Sequence, residues 1–235
     1  MKLLRYVTDE ELDKDEYDLD AIEVYFDCDG VILDTINAAK RVAARLGYDP
    51  NDSDSLHEYF THDVNWKEII DEAGTIGDII EFINELELSG KYKPAILTKL
   101  SIEIGLLFDR PEGIDKLSEE EQKTELYKLY ILKKLFPSIP IITAGYNTHK
   151  DKIVNTRFAI LIEDSLKNFR YWRECVGAVA FLLSPGGVEN YNYEKAEDAI
   201  KCPITEEEAP YVITDIRQFL KNSNVKCLEK RLKAS

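Results

Sequence analysis

The sequence predicts an α/β protein: a doubly wound parallel sheet with a small helical cap inserted after the first strand. Three observations carry that reading. Six short runs are apolar at most positions instead of alternating, as strands covered on both faces require. Helical patterns fall between them, and strands alternating with helices imply parallel βαβ units. The chain is 235 residues long with 44% hydrophobic residues, enough for one sizeable core with a small appended domain.

Taken in order, the apolar runs are 22–26, 95–97, 140–142, 158–162, 178–183 and 211–213. The helical stretches are 36–46, 75–88, 118–136, 166–175 and 214–220. Ser118 and Glu121 stand at capping-box spacing, and Asp215 opens the stretch after Thr214. Residues 36–74 read as three short helices with polar breaks at Asp49-Pro50-Asn51-Asp52 and Thr61-His62-Asp63. That is too much for one crossover, so 36–74 is expected to be the cap, with 1–35 and 75–235 forming the core. A short exposed helix is expected over 9–20, a lengthened connection over 100–117, and a solvated basic tail over 226–233.

Charge and composition exclude several classes. Thirty basic against 45 acidic residues leave a net charge of −15, which repels a nucleic-acid backbone but tolerates a small phosphorylated ligand held by a local positive site or a metal. Cys28, Cys175, Cys202 and Cys227 form no CxxC pair and have no His at ligand spacing, which argues against zinc or a disulfide framework. No apolar stretch approaches the ~20 residues that span a bilayer, and the acidic run from Asp9 cuts off any signal-peptide pattern. A soluble, cytoplasmic protein is expected.

The chemistry is concentrated where strands are expected to end. In Phe26-Asp27-Cys28-Asp29-Gly30 an apolar run enters two carboxylates at i and i+2, which period-2 geometry puts on one side. Such a pair repels unless a cation joins it or one member takes a proton. A hard cation such as Mg²⁺ takes oxygen ligands, and a protonated Asp can serve as a general acid. Thr98 stands at the end of the second run, Lys150 and Lys152 follow the third, and Glu163-Asp164 follow the fourth. In open α/β sheets the carboxyl ends of the strands are where ligands bind. Carboxylate, hydroxyl, ammonium and carboxylate at that edge suit phosphoryl transfer by covalent catalysis.

These stretches, in this order, resemble the haloacid dehalogenase superfamily of phosphohydrolases over residues 22–183. The resemblance implies a Rossmann-like core and Mg²⁺ as cofactor. It implies Asp27 as nucleophile and Asp29 as general acid and base, with the backbone carbonyl of Asp29 on the metal. Thr98 and a lysine would hold the phosphoryl group, and Asp164 would complete the metal ligands beside an outer Glu163. Lys152, 12 residues before Asp164, is favoured over Lys150. The cap and the Leu161-Ile162-Glu163-Asp164 stretch are similar to the 5'(3')-deoxyribonucleotidase branch, which implies a nucleoside monophosphate substrate. Tyr59, Phe60 and Trp66 are then candidates to stack on the base, and Lys150, Thr35 and Lys99 to touch substrate. Thr35 stands where that branch tends to carry an aromatic, Lys99 where Ser is usual, and Glu163 where Asp is usual. The competing readings are a phosphatase of a sugar phosphate or polynucleotide 3'-phosphate, a catalytically inert binding protein on the same fold, and a glycosyltransferase using Asp27 and Asp29 on a metal. No long nucleic acid and no membrane is expected as a partner.

Overall fold

The computed structural model describes residues 19–100, 117–194 and 202–232. The helix expected over 9–20 and the connection over 100–117 lie almost wholly outside those residues. Six strands form one parallel sheet in the order β3-β2-β1-β4-β5-β6. They are β1 (Ile22–Phe26), β2 (Tyr92–Leu100), β3 (Ile141–Gly145), β4 (Ile160–Glu163), β5 (Val179–Leu183) and β6 (Val212–Ile213). Helices flank them: α1 (Thr35–Arg45), α2 (Ser53–His62), α3 (Trp66–Glu72), α4 (Ile79–Leu88), α5 (Glu119–Gln122), α6 (Leu126–Leu135), α7 (Leu166–Arg173), α8 (Gly187–Glu194) and α9 (Ser223–Glu229).

The unbroken apolar runs have the expected cause, since β4 and β5 are buried at every position and a parallel strand must be covered on both faces. Register is uniform: Ile96 to Leu100 face Ile141 to Gly145, and Ile160 to Glu163 face Val179 to Leu182. From β1 the chain moves outward through β2 and β3, then returns to β4 on the other side of β1. The direction of winding therefore reverses between β1 and β4, the place where open α/β sheets form their ligand crevice.

Contacts gather the chain into two units, and each contains part of β1 and of β2. In the unit of residues 1–25, 82–94 and 149–235, a set of aromatic rings packs within the core. Phe82, Tyr92 and Phe181 each pack on Phe219 at centroid distances of 5.9 to 6.4 Å, and Trp172 meets Tyr25 edge-on at 5.6 Å. Arg170 of α7 grips Glu208 through two hydrogen bonds, Nε to Oε1 at 2.6 Å and Nη2 to Oε2 at 2.9 Å.

That paired donation outweighs burial and pulls the Glu208 carboxyl down to about 2. A carboxylate whose folded value lies below its ordinary 4.5 stabilises the fold above the ordinary value and loses that contribution as pH falls through the folded one. Glu208→Gln is therefore expected to cost about 1–2 kcal/mol at neutral pH. In urea titrations the gap between variant and parent should close as pH falls from about 4.5 toward about 2. A gap that widened on acidification would contradict the assignment.

The other unit, residues 26–81 and 95–148, contains all three helices expected over 36–74. They share a cluster of Ala38, Ala39, Val42, Ala43, Tyr59 and Ile69, with Leu56, Val64 and Trp66 packed against it. Glu72 on α3 pairs with Arg41 (2.7 Å) and with Arg45 on α1, and Asp52 and Asn65 cap α2 and α3. Tyr127 of α6 donates to Asp71 of α3 at 2.8 Å.

Four expectations shift in detail. The stretch 118–136 is two helices, because the Thr124 hydroxyl donates to the Glu121 carbonyl (2.6 Å) and accepts from Leu126 N–H, competing with the helix backbone. The capping box of Ser118 and Glu121 is present. Helix α4 starts at Ile79, since Thr75 and Ile76 pair with Leu33 and Ile32 instead. Residues 216–221 form a 3₁₀ helix, with Asp215 accepting from Arg217 N–H. The tail is only half solvated, because α9 buries Val225 and Leu228. Among the described residues no helix is long and apolar enough to cross a membrane.

Candidate active site

The loop after β1 is shaped by Gly30, whose φ of +76° lies in the left-handed region that only glycine adopts cheaply. The chain folds back there, with Gly30 N–H donating to the Leu33 carbonyl, and Ile32 and Leu33 N–H to that of Cys28. Cys28 is fully buried, at a bend between Asp27 and Asp29. Asp27 is 7% exposed and its Oδ1 accepts the Cys28 N–H at 2.7 Å.

Both oxygens of Asp29 are held. Oδ1 accepts the Thr35 hydroxyl at 2.8 Å, and Oδ2 accepts from the Lys128 ammonium at 2.6 Å. Thr35, considered for substrate contact, thus spends its hydroxyl on Asp29. Burial acts first on Lys128 and lowers its proton affinity, but the charge of Asp29 and the hydrogen bond to it, with Glu125 behind them, more than reverse it. The ammonium is held above its ordinary value. Sequence reasoning missed Lys128, although there was a signal. It interrupts the apolar stripe that continues as Leu132 and Phe136, and it lies as deeply buried as they do.

At the end of β2, Thr98 is fully buried and its hydroxyl donates to the Lys99 carbonyl at 3.4 Å. A cavity of about 600 Å³ opens beside Asp29, lined also by Thr35, His57, Phe60, Trp66, Lys99, Glu125 and Tyr146. Phe60 and Trp66 stand 6.3 Å apart there. Tyr59, considered with them, belongs to the helical core instead: it is fully buried and absent from the cavity wall.

Past β3 the two candidate lysines part. Lys152, expected to hold phosphate, has a side chain 67% exposed and pairs with Asp151 at 2.7 Å. Lys150 is buried and its Nζ meets Glu163 Oε2 at 2.8 Å. A 3₁₀ turn over Lys150–Lys152 sends neighbouring lysines in different directions. Glu163, fully buried at the end of β4, also accepts from the N–H groups of Asp164 (3.2 Å) and Ser165 (3.1 Å) and from Asn168 (3.2 Å). Its carboxylate closes the start of α7 and fixes Lys150. Asp164 stands one residue past the strand, half-buried.

Asp27 follows β1, and Glu163 and Asp164 stand at and just past the end of β4. Their carboxylates are hard oxygen donors, which suit Mg²⁺ better than a thiolate- or imidazole-seeking ion.

The fold is thus an α/β protein with carboxylates, a hydroxyl and a buried ammonium following four adjacent strands. No family model and no curated protein matches this chain. Solved structures of similar fold include a putative HAD-hydrolase from Bacillus subtilis bound to magnesium, with 15% identity, TM-score 0.48, and coverage of 86% of this chain and 98% of that one. A HAD-superfamily hydrolase of subfamily IA from Geobacter sulfurreducens has 16% identity, TM-score 0.48 and the same coverage. A putative beta-phosphoglucomutase from Bacteroides vulgatus has 15% identity and TM-score 0.45, with 92% of each chain covered.

Proposed function

We propose that this protein is a phosphatase of small phosphate monoesters that works through an aspartyl-phosphate on Asp27. The carrying observation is the strand order β3-β2-β1-β4, which sets Lys150, Thr98, the Asp27-Asp29 pair and Glu163-Asp164 after the carboxyl ends of four adjacent strands. In the proposed reaction the Asp27 carboxylate attacks phosphorus and the ester P–O bond breaks. The leaving oxygen takes a proton from Asp29. Water then attacks the phosphoryl group and passes a proton to Asp29, and the acyl-phosphate P–O bond breaks. Phosphate leaves and Asp27 is restored. Thr98 and Lys150 hold the phosphoryl oxygens, a role for which the buried Lys150 suits better than the solvated Lys152.

Asp27, Asp164 and the Asp29 carbonyl would hold Mg²⁺, which when bound neutralises charge on the phosphoryl oxygens. Binding to the folded state alone raises stability by about 2.7 kcal/mol at a hundredfold excess over Kd. Mg²⁺ is therefore expected to raise the melting temperature of EDTA-treated protein, and Asp164→Asn to remove most of that rise. An equal rise in the variant would place the ion elsewhere.

A nucleoside monophosphate is the proposed first substrate, supported by the aromatic wall of Phe60, Trp66 and Tyr146 beside Asp29, since a planar base stacks well on such rings. Phosphate release from deoxy- and ribonucleoside monophosphates, sugar phosphates and a 3'-phosphorylated oligonucleotide, with Mg²⁺ and with EDTA, tests both levels. Fastest release from a nucleotide is expected, and only with Mg²⁺. Preference for a sugar phosphate would overturn the substrate, and no release from any ester would overturn the phosphatase.

A further inference from the structure

Lys128 is a buried charge in a helix whose other buried residues are Tyr127, Leu129 and Leu132, and the reaction above gives it no step. Its side chain is 1% exposed, and an ammonium so placed is costly unless its partners are well set. Three partners surround it, each from a different element. Nζ meets Asp29 Oδ2 at 2.6 Å and donates to the Lys99 carbonyl at the end of β2 at 3.2 Å. It also stands 5.3 Å from the ring centroid of Trp66 at the start of α3, within cation–π range. Asp29, by contrast, keeps 31% of its side chain exposed and lines the cavity.

We infer that Lys128 is a positioning residue for proton transfer by Asp29, joining that carboxyl to the Trp66 wall against which the leaving group packs. The inference rests on the phosphatase reading. A carboxyl that passes a proton to a leaving oxygen must come within about 2.6–3.2 Å of it. Asp29 sits on a loop that turns at Gly30, so its side chain needs anchors from outside the loop to keep one orientation. Lys128 supplies one at Oδ2 and Thr35 the other at Oδ1. Because Lys128 also touches Trp66, a leaving group that presses on the ring acts on the same ammonium that orients the acid.

A residue that only fills the core would slow all esters alike, whereas one that orients the acid matters most where the leaving group needs a proton. The test compares p-nitrophenyl phosphate, whose phenolate leaves readily, with a nucleoside 5'-monophosphate, whose alkoxide does not. Lys128→Met is expected to lower kcat/KM, which reports the first step alone, about 100-fold on the nucleotide and less than about 5-fold on the nitrophenyl ester, while the water-attack step that both esters share lowers kcat on each. Thr35→Val should lean the same way, and Asp29→Asn should show the largest difference between the esters. Lys128→Gln keeps N–H donors for Asp29 and the Lys99 carbonyl and should recover most of the rate. Melting curves accompany each variant, and if the Met variant does not fold, the Gln and Val variants carry the comparison. Equal losses on both esters, or none, overturn the role of Lys128 while leaving the phosphatase intact. A parent enzyme that hydrolyses neither ester, nor any other in the panel, removes both.

Discussion

Asp27→Asn is expected to abolish phosphate release, by on the order of 10³-fold or more, because it removes the proposed nucleophile. The substitution is nearly isosteric. Asp27 is buried, with Oδ1 on the Cys28 N–H, and the Asn carbonyl can accept the same bond, so the loop should keep its shape and the melting temperature should change little. What disappears is the negative charge and one carboxylate oxygen, both of which the proposed attack on phosphorus needs. Phosphate release under single-turnover conditions, with a melting curve as control, measures both. An Asn variant that turns over at the parent rate would end the covalent mechanism. A variant that melts far below the parent would instead show that the carboxylate charge is needed for the fold.

Lys150→Met is expected to damage stability and activity together. Glu163 is fully buried and Lys150 nearly so, and removing one partner of such a pair costs about 3–5 kcal/mol because the other charge is left buried. The Asp164 and Ser165 N–H groups and Asn168 remain to Glu163, which favours the lower end. Turnover should fall by about 100-fold or more through the loss of the positive charge proposed to hold the phosphoryl oxygens. Urea unfolding and phosphate release give the two numbers. The double variant Lys150→Met with Glu163→Gln should regain much of the stability and none of the rate, since it removes the stranded charge without restoring the ammonium. Lys152→Met should be close to neutral in both assays. The reverse pattern, with Lys152→Met inactive and Lys150→Met unaffected, would return the phosphate-holding role to Lys152.

The choice between those lysines marks how far a linear reading reaches. Spacing to Asp164 favoured Lys152, yet the chain between β3 and β4 enters a 3₁₀ turn at Lys150, and a turn of that kind decides direction residue by residue. No count along the chain measures it. Thr35 was legible as a residue near the site but not as a partner of Asp29, because its role depends on the loop closing back through Cys28 and Leu33. Tyr59 and Phe60 are adjacent in sequence, but one helix step sends Tyr59 into the Ala38-Val42 cluster and Phe60 to the cavity. Lys128, 99 residues from Asp29, could be seen only as an interruption in an apolar stripe.

What the sequence by itself determined was the set of strands, the three helices over 36–74 and the carboxylates that follow β1 and β4. Each is a local property: unbroken apolar runs, caps such as Asp52 and Ser118, and acids at a strand end are written in consecutive residues. Only the tertiary structure decided which side chains meet. A contact between distant residues depends on where strand order, helix phase and loop closure carry them, and those are set by burial summed over the whole chain. That is why Asp27 and Asp29 could be read from five consecutive residues, while the ammonium groups that hold Glu163 and Asp29 could not.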